Sequence, residues 1–378
     1  MDTLRRRLLA GTAAGWLAQS LPVPVKAGST ADRAGLADAN APASSAIDAV
    51  LADGQAIDGL RSLLLAAGGK VLGERYYHGA QAEDLQPVNS ITKSVTSMLV
   101  GLALRRGSLP GLSARVAQLL PRARACVAPC PAAQLHLEQL LNARSGLRYD
   151  WLAQYDALMA SPDPIAMALA QVAEPGAAGQ WSYNDPVIGL LSPILAEAEG
   201  LDLEALAARE LFAPLGIGHW HWQRDALGQP MSYAGLALRS RDLLKLVWMM
   251  AREGRWGTAP ILPARWVRAS TRSRGTAQWQ LPGLHDIGYG YLWFSGRLDR
   301  QRLVWGWGYG GQFALWAPAH GIAVVSTATA PEPARALPQA EAIMALVLRL
   351  LRLPLQTRPQ RCRRAGPGSA PSRPCARP

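Results

Sequence analysis

Lysine is nearly missing from this chain. Of 39 basic residues only Lys26, Lys70, Lys93 and Lys245 are lysines, and the rest are arginine. Cysteine is also scarce, with four in 378 residues. That is too few for a disulfide scaffold, although it suits an oxidising compartment. Cys126 and Cys130 flank V-A-P in a proline-rich loop. A C-x3-C spacing without a partner Cys/His pair is a poor zinc site, which leaves a local disulfide or two free thiols. Cys362 and Cys375 lie in the tail. G-x-S-x-G is missing, since Ser145 lacks the upstream glycine, and so is H-E-x-x-H. Two common routes to hydrolysis, the nucleophile elbow and the helix-borne zinc site, are thereby excluded. His219 and His221 alternate in H-W-H-W with no third ligand near, and read as strand surface rather than as a metal site.

A basic stripe is missing as well. The net charge of +12 divides into +3 on residues 1–27, +6 on residues 356–378 and +3 on the body between. Basicity belongs to the ends, so the body carries no nucleic-acid footprint. The first 27 residues join the charged head Arg5-Arg6-Arg7 to an apolar run from Leu8 to about Leu21 and a small residue at Ala27. They read as a signal peptide, with Arg5-Arg6-x-Leu8-Leu9 similar to a twin-arginine export signal. No other apolar run approaches the ~20 residues of a membrane span. An exported, periplasmic protein without a stable membrane span is the expectation.

Residues 28–54 are taken as a linker, 55–355 as one catalytic-size domain, and the Arg/Pro/Gly/Ser-rich residues 356–378 as a disordered tail. Ser62–Tyr77 predicts two short strands around a Gly68-Gly69 turn. Ile91, Val95, Met98, Leu99 and Leu102 then recur at helical spacing. The middle of the chain is helical and looped, with helices predicted at Leu201–Leu211 and Arg241–Arg252. From Tyr289 the texture turns to β-rich runs, closed by an apolar helix over Pro338–Leu353. Strands at both ends and helices between predict an α/β (α+β) fold, an antiparallel sheet built from both termini with a mainly helical region inserted.

The chemistry starts at Asn89-Ser-Ile-Thr-Lys-Ser-Val-Thr-Ser, at the head of the first apolar helix. Ser90 and Lys93 are three apart and share a helix face. A serine hydroxyl needs a neighbouring base, and a lysine serves as one only where burial lowers its pKa. The competing reading makes Ser90 a helix cap and Lys93 a solvated side chain. Gln180-Trp181-Ser182-Tyr183-Asn184-Asp185 follows a Pro175-Gly176 turn and places a phenol where it can share a proton with such a pair. Gly306, Gly308 and Gly311 formally match G-x-G-x-x-G. The run lies between β-like stretches and opens no helix, which argues against a dinucleotide. It suits a strand edge whose free N–H groups meet a substrate. Trp220, Trp222, Trp305 and Trp307 are candidates to wall an apolar pocket, with core packing as the default.

Taken in order, Asn89–Ser97, Leu140-Leu141 with Ser145-Gly146-Leu147, Trp181–Asp185 and Gly308–Gln312 resemble the β-lactamase-related serine hydrolases. This superfamily includes class C β-lactamases, penicillin-binding carboxypeptidases, esterases and 6-aminohexanoate-dimer hydrolases, the last being closest in pattern. The resemblance covers about residues 55–350 and implies the β-lactamase/transpeptidase-like fold. It implies Ser90 as acylated nucleophile, Lys93 and Tyr183 as proton-transfer partners, and the N–H groups of Ser90 and Gly311 as oxyanion donors. Asp185, Trp307, Tyr309 and Gln312 are the implied substrate contacts, and neither metal nor cofactor is called for. The family's Y-x-N reads Tyr183-Asn184-Asp185, and its K-T-G box reads Gly308-Tyr309-Gly310, without the cation. Both departures favour neutral esters or amides. The alternatives are a β-lactamase, a D-Ala-D-Ala carboxypeptidase, or a penicillin-binding module that does not turn over.

Overall fold

The computed structural model describes residues 36–38, 44–127 and 129–355. The expected signal peptide, the basic tail, Cys362 and Cys375 lie outside these residues. Helix α1, Ser45–Asp53, falls inside the stretch expected to be a linker and corrects that expectation. Ser44 caps it by accepting the Ile47 N–H, and Ile47, Val50 and Leu51 at helical spacing are buried. The alanines and serines around this stripe hid it from composition alone.

Strands β1 (Leu60–Ala67) and β2 (Lys70–Tyr76) form the expected hairpin. Gly68 and Gly69 turn it at φ +59° and +87°, values open to glycine at no steric cost. Helix α2, Ile91–Arg106, is buried on all sides as far as Ala103 and ends at Gly107 in the left-handed region. A helix buried all round lies in the centre of a fold, and this one does so although Thr92, Lys93, Ser94, Thr96 and Ser97 are polar. Helices α3 (Trp151–Met159), α4 (Asp185–Gly189) and α5 (Leu191–Glu199) belong to the inserted helical region. A small sheet pairs Gln86–Pro87 and Trp220–Trp222 with Leu236–Leu238. Helix α6, Ser240–Ala251, leads back to strands β3 (His285–Gly290), β4 (Trp293–Leu298), β5 (Gln301–Gly308), β6 (Gln312–Ala317) and β7 (Ile322–Ala328). Helix α7, Pro333–Arg352, closes the described chain.

The main sheet runs β2-β1-β7-β6-β5-β4-β3, all antiparallel, with Ala37–Asp38 added parallel to β2. Ile322 opposite Ala67 joins the last strand to the first hairpin, so both ends of the domain meet in the middle of one sheet. Its two faces are covered by different helices. Ser62 bonds Ser240 at the start of α6 at 2.7 Å, while Ile47 and Leu51 of α1 lie over Gly73, the partner of Leu65. Ser62 and Leu65 are three residues apart on a strand and point to opposite faces. No helix of the described residues is long and apolar enough to cross a membrane.

Candidate active site

The first turn of α2 does not fit the reading of Ser90 as a side-chain cap beside a solvated lysine. Ser90 has helical backbone angles and its side chain makes no capping bond. Lys93 is not solvated either, with only 1% of its side chain exposed. Its Nζ donates to Ser90 Oγ at 3.0 Å and to the Tyr233 carbonyl at 2.7 Å, and lies 2.8 Å from Asp185 Oδ1. Asp185 is equally buried, and Trp151 Nε1 donates to its other oxygen at 2.9 Å. Burial holds the Lys93 ammonium below its ordinary pKa, and the Asp185 carboxylate opposes that shift.

Tyr183 reaches the same point from the start of α4. Its hydroxyl shares a hydrogen bond with Ser90, and Lys93 Nζ stands 4.6 Å from its ring centre. Burial first, and the Asp185 charge second, push its pKa well up, with the Ser90 bond opposing them. The phenol is therefore the resting form. Asn184 caps α4 through the Val187 N–H and so aims its two neighbours, Tyr183 and Asp185, at α2. Asp185, expected at the substrate, lies against Lys93.

The glycine run lies at the mouth of the site. Asn89, at φ +48°, donates from Nδ2 to the Tyr309 carbonyl at 2.9 Å and ties the nucleophile's turn to the turn between β5 and β6. The Gly311 N–H closes that turn on the Gly308 carbonyl at 3.1 Å, so the donor expected for an oxyanion is engaged within the fold. Gln312 is fully buried and its amide donates to the Ala328 carbonyl, away from any solvent-facing surface. Tyr309 is half-buried, packs 5.6 Å from Trp151, and donates its hydroxyl to the Pro331 carbonyl. Burial raises its pKa to about 12. Trp307 is half-buried too, whereas Trp305 and Trp222 are core.

A cation has no room where the family's K-T-G lysine would stand. A Cβ on Gly308 would lie 2.5 Å from the Val88 carbonyl oxygen. Arg144 and Arg148, the arginines that follow the Leu140-Leu141 motif, are engaged with the Gly179 carbonyl and with Glu174.

Residues 47–349 match the Beta-lactamase family. The chain belongs to that family. Solved structures agree on the fold. A Bacillus anthracis protein named as a 6-aminohexanoate-dimer hydrolase aligns with a TM-score of 0.66 at 16% identity, covering 85% of this chain and 89% of that one. A class C β-lactamase from Rhodobacter sphaeroides aligns at 0.58 and 20%, covering 82% and 100%. A D-amino acid amidase from Ochrobactrum anthropi aligns at 0.60 and 20%, covering 81% and 96%. No curated protein matches the chain.

Three contributors to this Beta-lactamase-family site had no sequence motif of their own. Tyr233 offers a main-chain carbonyl, which any residue carries. Trp151 follows Asp150, a legible helix cap, yet nothing local says that its indole meets Asp185. Trp279 lies in a loop and packs 4.6 Å from Tyr183 and 5.6 Å from Trp307.

Proposed function

We propose that this protein is a serine hydrolase of neutral ester or amide bonds, working through an acyl-enzyme on Ser90. The observation that carries the reading is the 3.0 Å contact of Lys93 Nζ with Ser90 Oγ at the start of a buried helix, with Tyr183 on the same hydroxyl. As a free amine, Lys93 accepts the Ser90 proton while Oγ forms a bond to the substrate carbonyl carbon and the carbonyl electron pair moves to oxygen. The N–H groups at the head of α2 and its dipole favour that oxyanion. Collapse of the intermediate breaks the bond to the leaving group, which takes a proton from the Tyr183–Lys93 pair. Water then attacks the ester by the same route. Such proton transfers are worth about 10²–10⁴-fold each.

Substrate charge follows from Gly308 and the occupied arginines. A carboxylate in a partly desolvated site needs a charge-assisted donor. Its loss is worth about 1–3 kcal/mol, roughly ten- to a hundred-fold. A neutral p-nitrophenyl short-chain ester should therefore exceed nitrocefin in kcat/KM by at least tenfold, and parity or the reverse order sinks the preference. The class of activity is tested separately with a fluorophosphonate probe. Wild type should be labelled and Ser90→Ala should not, and steady turnover of the ester separates a hydrolase from a binding module that gives one stoichiometric burst.

A further inference from the structure

Three acceptors surround one nitrogen at the centre of the site. Lys93 Nζ lies 3.0 Å from Ser90 Oγ, 2.7 Å from the Tyr233 carbonyl and 2.8 Å from Asp185 Oδ1. An ammonium can donate to the serine and the carbonyl while its charge faces the Asp185 carboxylate, whereas a free amine would accept from the Ser90 hydroxyl. The Asp185 carboxylate at 2.8 Å favours the ammonium of these two forms. Such a lysine orients Ser90 but cannot accept its proton.

Asp185 is the one charged contact among the three. Its second oxygen receives the Trp151 indole N–H at 2.9 Å, so the carboxylate is fixed from both sides. The titratable groups facing the pair are Tyr149, Tyr155, Tyr183, Tyr233 and Tyr289. Burial, helped by the Asp185 charge, pushes each of these phenols above its ordinary range, so all stay neutral at physiological pH. Lys93 is thus the group whose protonation changes here.

Resting on the serine-hydrolase reading above, we propose that Asp185 is a positioning residue that holds Lys93 protonated in the empty site and sets the pH at which Ser90 becomes nucleophilic. Below that pH the ammonium persists and Ser90 is only hydrogen-bonded. Above it the proton leaves to solvent, and the amine left behind takes the Ser90 proton as Oγ attacks. The sign of each perturbation follows. Burial alone favours the free amine, so removing the carboxylate moves the acid limb of reactivity to lower pH. Removing the indole donor leaves the carboxylate's charge directed at Lys93 alone, so the cation is better held and the limb moves to higher pH.

The test follows the rate of Ser90 labelling by a neutral fluorophosphonate against pH. Asp185→Asn should move the acid limb down by one pH unit or more, a tenfold gain in free amine below the limb. Trp151→Phe should move it up, and Asp185→Glu should return it towards the wild-type position. Trp151→Phe carries the test if Asp185→Asn does not fold. Limbs that stay in place, or shifts of the opposite sign, overturn the proposal. So does a higher KM for the neutral ester in Asp185→Asn with an unmoved limb, which would make Asp185 a substrate contact. Labelling that survives Ser90→Ala, or a wild type that is not labelled, defeats the serine-hydrolase reading itself and is distinct from an unmoved limb.

Discussion

At the scale of single residues the site depends on charges that are out of water. Lys93 and Asp185 each expose 1% of their side chains, so neither charge has a solvent partner to fall back on. Lys93→Met should lower the acylation rate by about 10²–10⁴-fold, the usual worth of a general base. It should also destabilise the fold by about 3–5 kcal/mol, because it leaves a buried carboxylate unpaired. Urea unfolding checks the second effect. Lys93→Met combined with Asp185→Asn should recover much of the lost stability and none of the lost rate. Tyr183→Phe removes a hydroxyl but no charge, and should slow acylation with a smaller cost in stability. A loss confined to KM in either single variant would contradict a role in proton transfer. Ser90, Lys93 and Tyr183 were legible in the sequence because two are neighbours on one helix turn and the third sits in a compact motif. The part played by Asp185 was not, since its identity was plain while its partner lay 92 positions away.

At the scale of elements, α2 shows why a good helix former is not always an improvement. Gly101 sits in its middle, where alanine ordinarily gains about 1 kcal/mol from backbone propensity. A Cβ there would stand 2.2 Å from Cδ1 of Trp266, whose indole donates to the Ser97 carbonyl and stacks on Tyr291. Overpacking of this kind costs typically 1–3 kcal/mol. Gly101→Ala should therefore be destabilising by up to about 2 kcal/mol in thermal unfolding, against the helix-propensity expectation. The apolar spacing that predicted this helix is borne out by Ile91, Val95, Met98, Leu99 and Leu102, all buried. Why its centre needs a glycine is set by a tryptophan 165 positions later.

For the whole molecule, α1 is the element that the composition disguised. It contributes Ile47, Val50 and Leu51 to the core, receives the Tyr77 hydroxyl at the Leu51 carbonyl at 2.7 Å, and offers Asp53 to Arg349 of α7. Burying side chains of this size is worth about 1.5–3 kcal/mol each, against a total domain stability of about 5–15 kcal/mol. A chain shortened to begin at residue 55 should melt at least about 10 °C below one that begins at residue 44, as several kcal/mol imply for a domain of this size. Equal melting temperatures would show that α1 is dispensable.

What the sequence determined by itself is local. The Ser90–Lys93 spacing, the Gly68-Gly69 turn and the period of α2 are each set by neighbours in the chain. Short-range geometry places them whatever the rest of the fold does. The meeting of both ends in one sheet was also legible, from the placing of β-rich runs at the two ends of the domain. Only the tertiary structure decided which groups surround Lys93, that Gly308 has no room for a side chain, and that the Gly311 N–H is already bound. Those outcomes depend on distances between segments tens to hundreds of residues apart. Such distances follow from how helices and strands pack, and a motif records the residue without its partner.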